Sequence, residues 1–286
     1  MDQVLLQKLL HRSKTANKYD FGHVLIVGGS PGMVGAPLLS GRAALRVGAG
    51  LVTIAADPQT TSRLDRRVEE LMTHSLPNFN KPEIVAEAVQ DFVDAHKVRV
   101  VIIGPGLATS VFECVLSIAE RLKLPMILDG GGLAAFVGKG SQLSRITQSN
   151  LQVILTPHTG EFAKLIGSTM PEHRKLAAVA TEFAKSHKVT LVLKGYHTIV
   201  AHPDGSSYEN RTGNPGLATA GTGDVLAGVI AGFLAQGVDV ARAAEIGVYL
   251  HGLAGDLAAQ AKTQPGVIAS DVIELLPAAL KKAADE

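Results

Sequence analysis

Short, unbroken apolar runs ending in glycine, proline or polar clusters recur along this chain, and segments of helical periodicity lie between them. Runs such as Val24–Val27 and Val100–Ile103 carry no polar residue on either face, as suits strands covered on both sides. Such runs alternating with helices imply a parallel sheet with helices on both faces. The expected strands are His23–Val27, Leu51–Ala55, Val98–Ile103, Met126–Asp129, Gln152–Thr156, Thr190–Lys194 and Thr198–His202. The expected helices are Ala36–Val47, Pro58–Glu70, Ile84–Ala95, Ser110–Leu122, Gly160–Leu165, Pro171–His187, Asp224–Gln236, Val240–Ala261 and Ala269–Glu286. Lys194-Gly-Tyr-His-Thr198 separates two strand-like runs, so one hairpin or edge pair interrupts the parallel pattern; Pro203-Asp-Gly-Ser marks a second turn. No Pro/Gly/Ser-rich linker divides the 286 residues. One α/β domain over residues 1–286 is expected, a three-layer αβα sandwich around a mostly parallel sheet.

In open sheets of this kind the ligand lies beyond the carboxyl ends of the strands. Five runs end there in backbone-rich clusters: Gly28-Gly-Ser-Pro-Gly-Met-Val-Gly35, Gly104-Pro-Gly-Leu107, Asp129-Gly-Gly-Gly132, Thr156-Pro-His-Thr-Gly-Glu161 and Lys194-Gly-Tyr-His-Thr198. Together they describe a long cleft suited to a large ligand.

The richest single segment is Asn214-Pro-Gly-Leu-Ala-Thr-Ala-Gly-Thr-Gly-Asp224, after which Val225, Leu226, Val229, Ile230, Phe233 and Leu234 follow at the spacing of a buried helix face. A glycine-rich turn that opens a helix presents unpaired amides and the positive end of the helix dipole, an anion site. The amides of Ala220, Gly221, Thr222 and Gly223 are its candidates. A carboxylate at a phosphate cradle repels its ligand unless it has work there. Asp224 can take a proton from a hydroxyl attacking phosphorus. The plainer reading makes Asp224 a helix cap.

Other motifs are weaker. Gly28–Gly35 invites a dinucleotide reading, and the acid Asp57 follows the next strand. The spacing fails, because Ser30 and Met33, or Pro31 and Val34, stand where glycines are required. No Gly-x-x-x-x-Gly-Lys-Ser/Thr occurs; Gly138-Lys139 belongs to a loop. Asp20-Phe-Gly22 lacks any His-Arg-Asp partner. The single cysteine, Cys114, sits in a helix-like run and reads as core packing. The ten histidines show no zinc spacing. Magnesium needs only one or two carboxylates besides phosphate oxygens, and Asp129 and Glu161 are possible supports. His158 is a rim donor or an exposed loop histidine; Lys194 neutralises phosphate or sits solvated in a hairpin turn. Arg211 either adds a donor or faces solvent.

Twenty-seven Lys and Arg against 26 Asp and Glu give a formal charge of +1, no sign of a nucleic-acid or membrane-surface protein. No run approaches the ~18 apolar residues of a membrane span. The first residues, Met1-Asp-Gln-Val-Leu-Leu, are too polar for a secretory leader, so a reducing cytoplasm is expected.

Taken together these residues resemble the ribokinase-like superfamily, and within it the NAD(P)H-hydrate dehydratase family that repairs hydrated nicotinamide cofactors. The similar segments are Gly22–Ser30, Gly35-Ala36, Arg46–Val52, Gly104–Leu107, Leu128-Asp129, Leu155–Glu161, Lys194–Thr198 and Asn214–Asp224, in family order. Two positions depart from the family pattern: Gly130, where relatives often have alanine, and Thr159, where they often have proline. The resemblance implies a ribokinase-like sandwich and ADP- or ATP-dependent dehydration of the S-epimer of NADHX or NADPHX. It implies nucleotide binding along Lys194, Gly195, Tyr196, His197 and Thr198 and at Gly223. It implies hydrate contacts from Ala36, Gly106, His158 and Asp224, with Asp224 catalytic and Mg²⁺ sharing phosphoryl charge. It further implies a homo-oligomer, often a tetramer, and a separate epimerase as functional partner, the expected single domain leaving no room for an N-terminal epimerase domain. Two rivals share the anion site. A small-molecule kinase for a hydroxymethylpyrimidine, thiazole alcohol or sugar would leave its product phosphorylated. A nucleotide sensor would need no acid at Asp224.

Overall fold

Side chains along a strand alternate between its two faces, so an all-apolar strand is stable only where both are covered. The computed structural model, which describes residues 3–150, 152–170 and 172–285, meets that demand. Its strands are β1 (His23–Val27), β2 (Leu51–Ala56), β3 (Met72–Ser75), β4 (Val100–Ile103), β5 (Met126–Leu128), β6 (Val153–Leu155), β7 (Thr190–Leu193), β8 (Ile199–Ala201) and β9 (Ser207–Glu209). They form one sheet in the order β3-β2-β1-β4-β5-β6-β7-β8-β9. Pairing is parallel from β3 through β7 and antiparallel at β7–β8 and β8–β9. Strand order reverses between β1 and β4, the position where open α/β sheets part to admit a ligand.

The helices are α1 (Gln3–Leu9), α2 (Gly35–Arg46), α3 (Pro58–Leu64), α4 (Pro82–His96), α5 (Phe112–Arg121), α6 (Gly131–Ala134), α7 (Gly140–Ser149), α8 (Thr159–Leu165), α9 (Leu176–His187), α10 (Thr222–Ala235), α11 (Val240–Ala261) and α12 (Ala269–Asp285). Val24, Ile26, Val52, Ile54, Val100 and Ile102 join a core with α1, α2, α10, α11 and α12. Their neighbours Leu25, Val27, Ala55, Val101 and Ile103 face the opposite core, with α4, α5, α7, α8 and α9. The result is the three-layer sandwich expected.

Helix α10 is apolar all round and buried from Val225 to Ala235, as suits an internal helix. It lies tight against α2: a Cβ on Gly228 would stand 2.1 Å from the Ser40 carbonyl oxygen. That contact, with the Ser40 hydroxyl donating to the Asp224 carbonyl at 2.9 Å, fixes where the amino end of α10 opens.

Several expectations change. The chain has two antiparallel pairings, since β9 follows the Pro203 turn. Strand β3, at the sheet edge, was not expected, and neither were α1, α6 and α7. Helix α3 stops at Leu64 rather than Glu70, because the chain must return to β3 and bring Leu71 under α2, where a Cβ on Gly41 would meet it at 3.0 Å. Short 3-10 turns at Thr109–Val111 and His173–Lys175 precede α5 and α9. Helix α10 begins two residues early, at Thr222. The expected helix ends Pro171 and Glu286 lie outside the described residues. No described helix is long and apolar enough to cross a membrane.

Candidate active site

The amino end of α10 is capped by Gly221 at φ +90°, a left-handed conformation natural to glycine. A side chain there would also strike Leu39 at 2.5 Å. No side chain caps the helix, so Asp224, in its first turn, is not the cap. First-turn amides have no intrahelical acceptor. Of the four candidates, Thr222 turns its amide to the Thr219 carbonyl at 3.4 Å, and its hydroxyl donates to the Leu217 and Thr219 carbonyls at 2.7 and 2.9 Å. Ala220, Gly221 and Gly223 keep their amides without a backbone acceptor among the described residues.

Lys194 stands just past β7, tied into the sheet by its amide on the Pro157 carbonyl at 2.8 Å and by a bridge to His158. Its ammonium donates to Asp129 Oδ1 at 2.9 Å, and only 19% of the lysine and 5% of the aspartate side chain is exposed. The Thr156 hydroxyl donates to the same oxygen at 2.6 Å. The lysine reaches α10 as well, since a Cβ on Gly223 would lie 3.0 Å from its Nζ. Four charges from four segments thus lie within electrostatic reach of one another: Asp129 after β5, Glu161 at the start of α8, Lys194 after β7 and Asp224 on α10.

Their coupling sets Asp224. Burial, then Asp129 and Glu161, push its carboxyl from 3.8 up to about 7; Lys194 opposes them without prevailing. The Lys194 ammonium moves up too: burial pulls it down, but Asp129 and Glu161 outweigh that. An acid poised near neutrality in a cleft has the proton affinity a general base needs.

His158 occupies the N-cap of α8. Its Nδ1 accepts from the Gly160 and Glu161 amides at 3.0 and 3.2 Å, while Glu161 Oε2 accepts from the His158 amide at 2.8 Å. That capping box occupies Nδ1, and Nε2 lies 3.6 Å from Glu161 Oε2 at the rim of the site. Ala36 is the second residue of α2 and faces Gly106: a Cβ on Gly106, whose φ is +70°, would lie 3.3 Å from Ala36 Cβ. Gly195 to Thr198 make the turn into β8. Tyr196 is 79% exposed and stacks on His197, whose Nδ1 lies 3.0 Å from Glu209 Oε1. Thr198 donates to the Gly195 carbonyl at 3.3 Å. Arg211 is exposed. Gly130 has φ +49°, which accounts for glycine at that departure from the family pattern.

No group of three or more His, Cys, Asp or Glu side chains able to hold a metal occurs among the described residues. Asp129 Oδ2 and Glu161 Oε1 accept no hydrogen bond there. Two such oxygens fit a magnesium ion that takes most of its ligands from phosphate and water.

Two further residues support the anion site, one outside every motif and one at the head of the Asn214–Asp224 segment. His251 on α11 is buried behind the anion site and bonded to the Thr222 backbone; burial holds its imidazole down at about 4. Asn214 caps the turn before the anion site and straps it to α11 through Gly255 and Asp256 at 3.0 and 2.9 Å. The only hint of His251 was a polar residue amid small apolar ones.

Residues 24–278 match the family described as NAD(P)H-hydrate dehydratase. A bifunctional NAD(P)H-hydrate repair enzyme of Moorella thermoacetica is 38% identical over 98% of this chain, which spans 53% of that relative. This chain covers about half the length of the bifunctional relatives it matches. An ADP-dependent (S)-NAD(P)H-hydrate dehydratase of Neisseria meningitidis is 34% identical, with 91% of this chain and 86% of that protein covered. The crystal structure of a Bacillus subtilis ADP/ATP-dependent NAD(P)H-hydrate dehydratase, co-crystallised with ATP and Mg²⁺, superposes with a TM-score of 0.79 at 30% identity, covering 98% of this chain and 96% of that one. By matched span, fold and identity, the chain belongs to the NAD(P)H-hydrate dehydratase family.

Proposed function

We propose that this chain dehydrates the S-epimer of NAD(P)H hydrate, NADHX or NADPHX, at the expense of ADP or ATP. The observation that carries the reading is Asp224, its carboxyl raised to about 7 within the first turn of a glycine-capped helix and facing a buried lysine. The dehydratase names of the relatives support it.

Hydroxide leaves a ring carbon poorly and phosphate leaves it well. Asp224 takes the hydroxyl proton while that oxygen attacks the terminal phosphorus of the nucleotide. The bond to the bridging oxygen breaks, and ADP becomes AMP, or ATP becomes ADP. The free amides of Ala220, Gly221 and Gly223 hold the migrating phosphoryl, and Lys194 offsets its charge. Magnesium, when bound, supplies further charge neutralisation. The ring nitrogen's electron pair then expels phosphate, which carries away the former hydroxyl oxygen. Loss of a ring proton restores the dihydropyridine. His158 Nε2, Gly106 and Ala36 orient the hydrate, and the turn from Lys194 to Thr198 holds the nucleotide. Restriction to one epimer calls for a partner epimerase.

The test is incubation with NADHX or NADPHX, Mg²⁺ and either nucleotide, following dihydropyridine absorbance and released phosphate together. Equal recovery of both is expected. A stable phosphorylated product, or no recovery with either nucleotide, refutes the reading.

A further inference from the structure

Beyond the carboxyl ends of β1, β2 and β4 lies a second depression of about 280 Å³, lined among others by Ser30, Asp57, Gln59, Asn78, Phe79 and Leu107. It adjoins the candidate active site, since Leu107 follows Gly106 and the Ser30 hydroxyl donates to the Gly106 carbonyl at 2.8 Å. Among the described residues, Asp57 is the one ionisable residue along its lining, with no lysine, arginine or histidine there.

The inference rests on the proposed dehydration. With the nucleotide along the turn after β7 and the reacting hydroxyl at Asp224, the remainder of the dinucleotide must run away from β7. It passes Gly106 and Ala36 at the β1–β4 gap. Sheet order then puts β1 and β2 next, two strand spacings or about 10 Å beyond β4. The depression is at that end. Phe79, Asn78 and Gln59 along its lining are an aromatic and two amide residues, the types that suit a purine nucleoside.

Asp57 decides which nucleoside. Its Oδ1 accepts from the Gln59 and Thr60 amides at 3.0 and 3.1 Å, and its Oδ2 accepts from the Thr60 hydroxyl at 2.5 Å. A carboxylate offers about four acceptor positions, so one remains on Oδ2 for a ribose hydroxyl. A 2′-phosphate would instead meet a fixed negative charge with no cation to offset it. We propose that this depression binds the adenosine end of the hydrate and that Asp57 makes the enzyme select NADHX over NADPHX.

The experiment compares kcat/KM for the two hydrates in the wild type, Asp57→Asn and Asp57→Asn/Asn78→Lys. Asparagine caps a helix as well as aspartate does, so α3 keeps its start. The wild type should favour NADHX by about tenfold or more, through KM. Asp57→Asn should narrow the ratio, and the double variant should reverse it. Equal use of both hydrates by the wild type, or a ratio that neither variant moves, overturns the proposal. In parallel, NADH and NADPH are titrated by their own fluorescence, without turnover. If neither hydrate is consumed yet NADH binds about tenfold tighter and Asp57→Asn erases the gap, the dehydration fails and the adenosine site stands. Equal binding of the two overturns the site.

Discussion

Asp224→Asn should make the protein more stable while it removes most of its activity. The carboxyl sits at about 7 in the folded chain against an ordinary 3.8. At ~1.4 kcal/mol per pH unit, holding it ionised costs the fold about 4 kcal/mol above neutrality. Partial access to water reduces this, and roughly 2 kcal/mol is the working figure. The direction follows from proton binding. Between about pH 4 and 7 the folded state holds a proton that the unfolded state has released, so stability falls as pH rises through that window. Below it both states are protonated and the cost disappears. Asparagine has the same shape and no charge, so it escapes the cost at every pH. The variant's Tm, measured without nucleotide or magnesium, should exceed that of the wild type by about 4 °C at pH 8. The gap should shrink steadily toward pH 5. Turnover of the hydrate should fall by roughly 10²–10⁴-fold, the contribution of a positioned base. A variant no more stable than the wild type at pH 8, or a gap that stays constant with pH, would show that Asp224 is not held against its charge. Near-normal turnover would remove it from the chemistry.

Asp129→Asn should move the acid limb of the kcat/KM profile below about pH 7, because it removes a negative neighbour of Asp224 and frees the Lys194 charge to act on it; an upward move contradicts the coupling. His158→Ala should lose about 1 kcal/mol of stability with the α8 cap, while His158→Asn should keep the cap. Both should raise the hydrate KM, and an unchanged KM in both would leave the ring a helix cap alone. Gly223→Ala puts a methyl 3.0 Å from Lys194 Nζ and should raise the nucleotide KM several-fold with little change in Tm; an unaltered KM would separate Lys194 from nucleotide binding.

What could be read in the chain was what burial writes into it locally. Strands β1, β2 and β4 announce themselves because nearly every residue must be apolar when both faces are covered, the buried His23 and Thr53 being paired with each other. The edge strand β3 is Met72-Thr-His-Ser, with Met72 40% exposed, and its pairing on one side leaves no apolar pattern to detect. Helix α6 is a single turn of glycine, leucine and alanine held by its surroundings, since the Cβ of an alanine at Gly132 would lie 2.1 Å from the Ile103 carbonyl oxygen. Helix α7 was hidden by the Gly138-Lys139-Gly140 run, which signals a turn but also precedes a helix start.

The site divides the same way, and the division bears on function. A glycine cap and a first-turn acid are local, so Gly221 and Asp224 stand out in the sequence. The use of the acid is not local. An aspartate at this place with its ordinary proton affinity would be ionised and of little strength as a base. Its affinity depends first on burial and then on Asp129 and Glu161 lying near, with Lys194 offsetting only part of their effect. The Lys194–Asp129 pair joins positions 65 residues apart, and no spacing rule reports such a partner. By binding Lys194, Asp129 offsets part of the cation's pull on Asp224, and its own negative charge raises the proton affinity there. Thr156 contributes by holding the Asp129 oxygen in place. Beyond burial, the features that make Asp224 a base are therefore contributed by the segments after β5, β6 and β7. Any relative that kept the glycine cap and the acid but lost the Asp129–Lys194 pair would retain the anion site and have a weaker base within it.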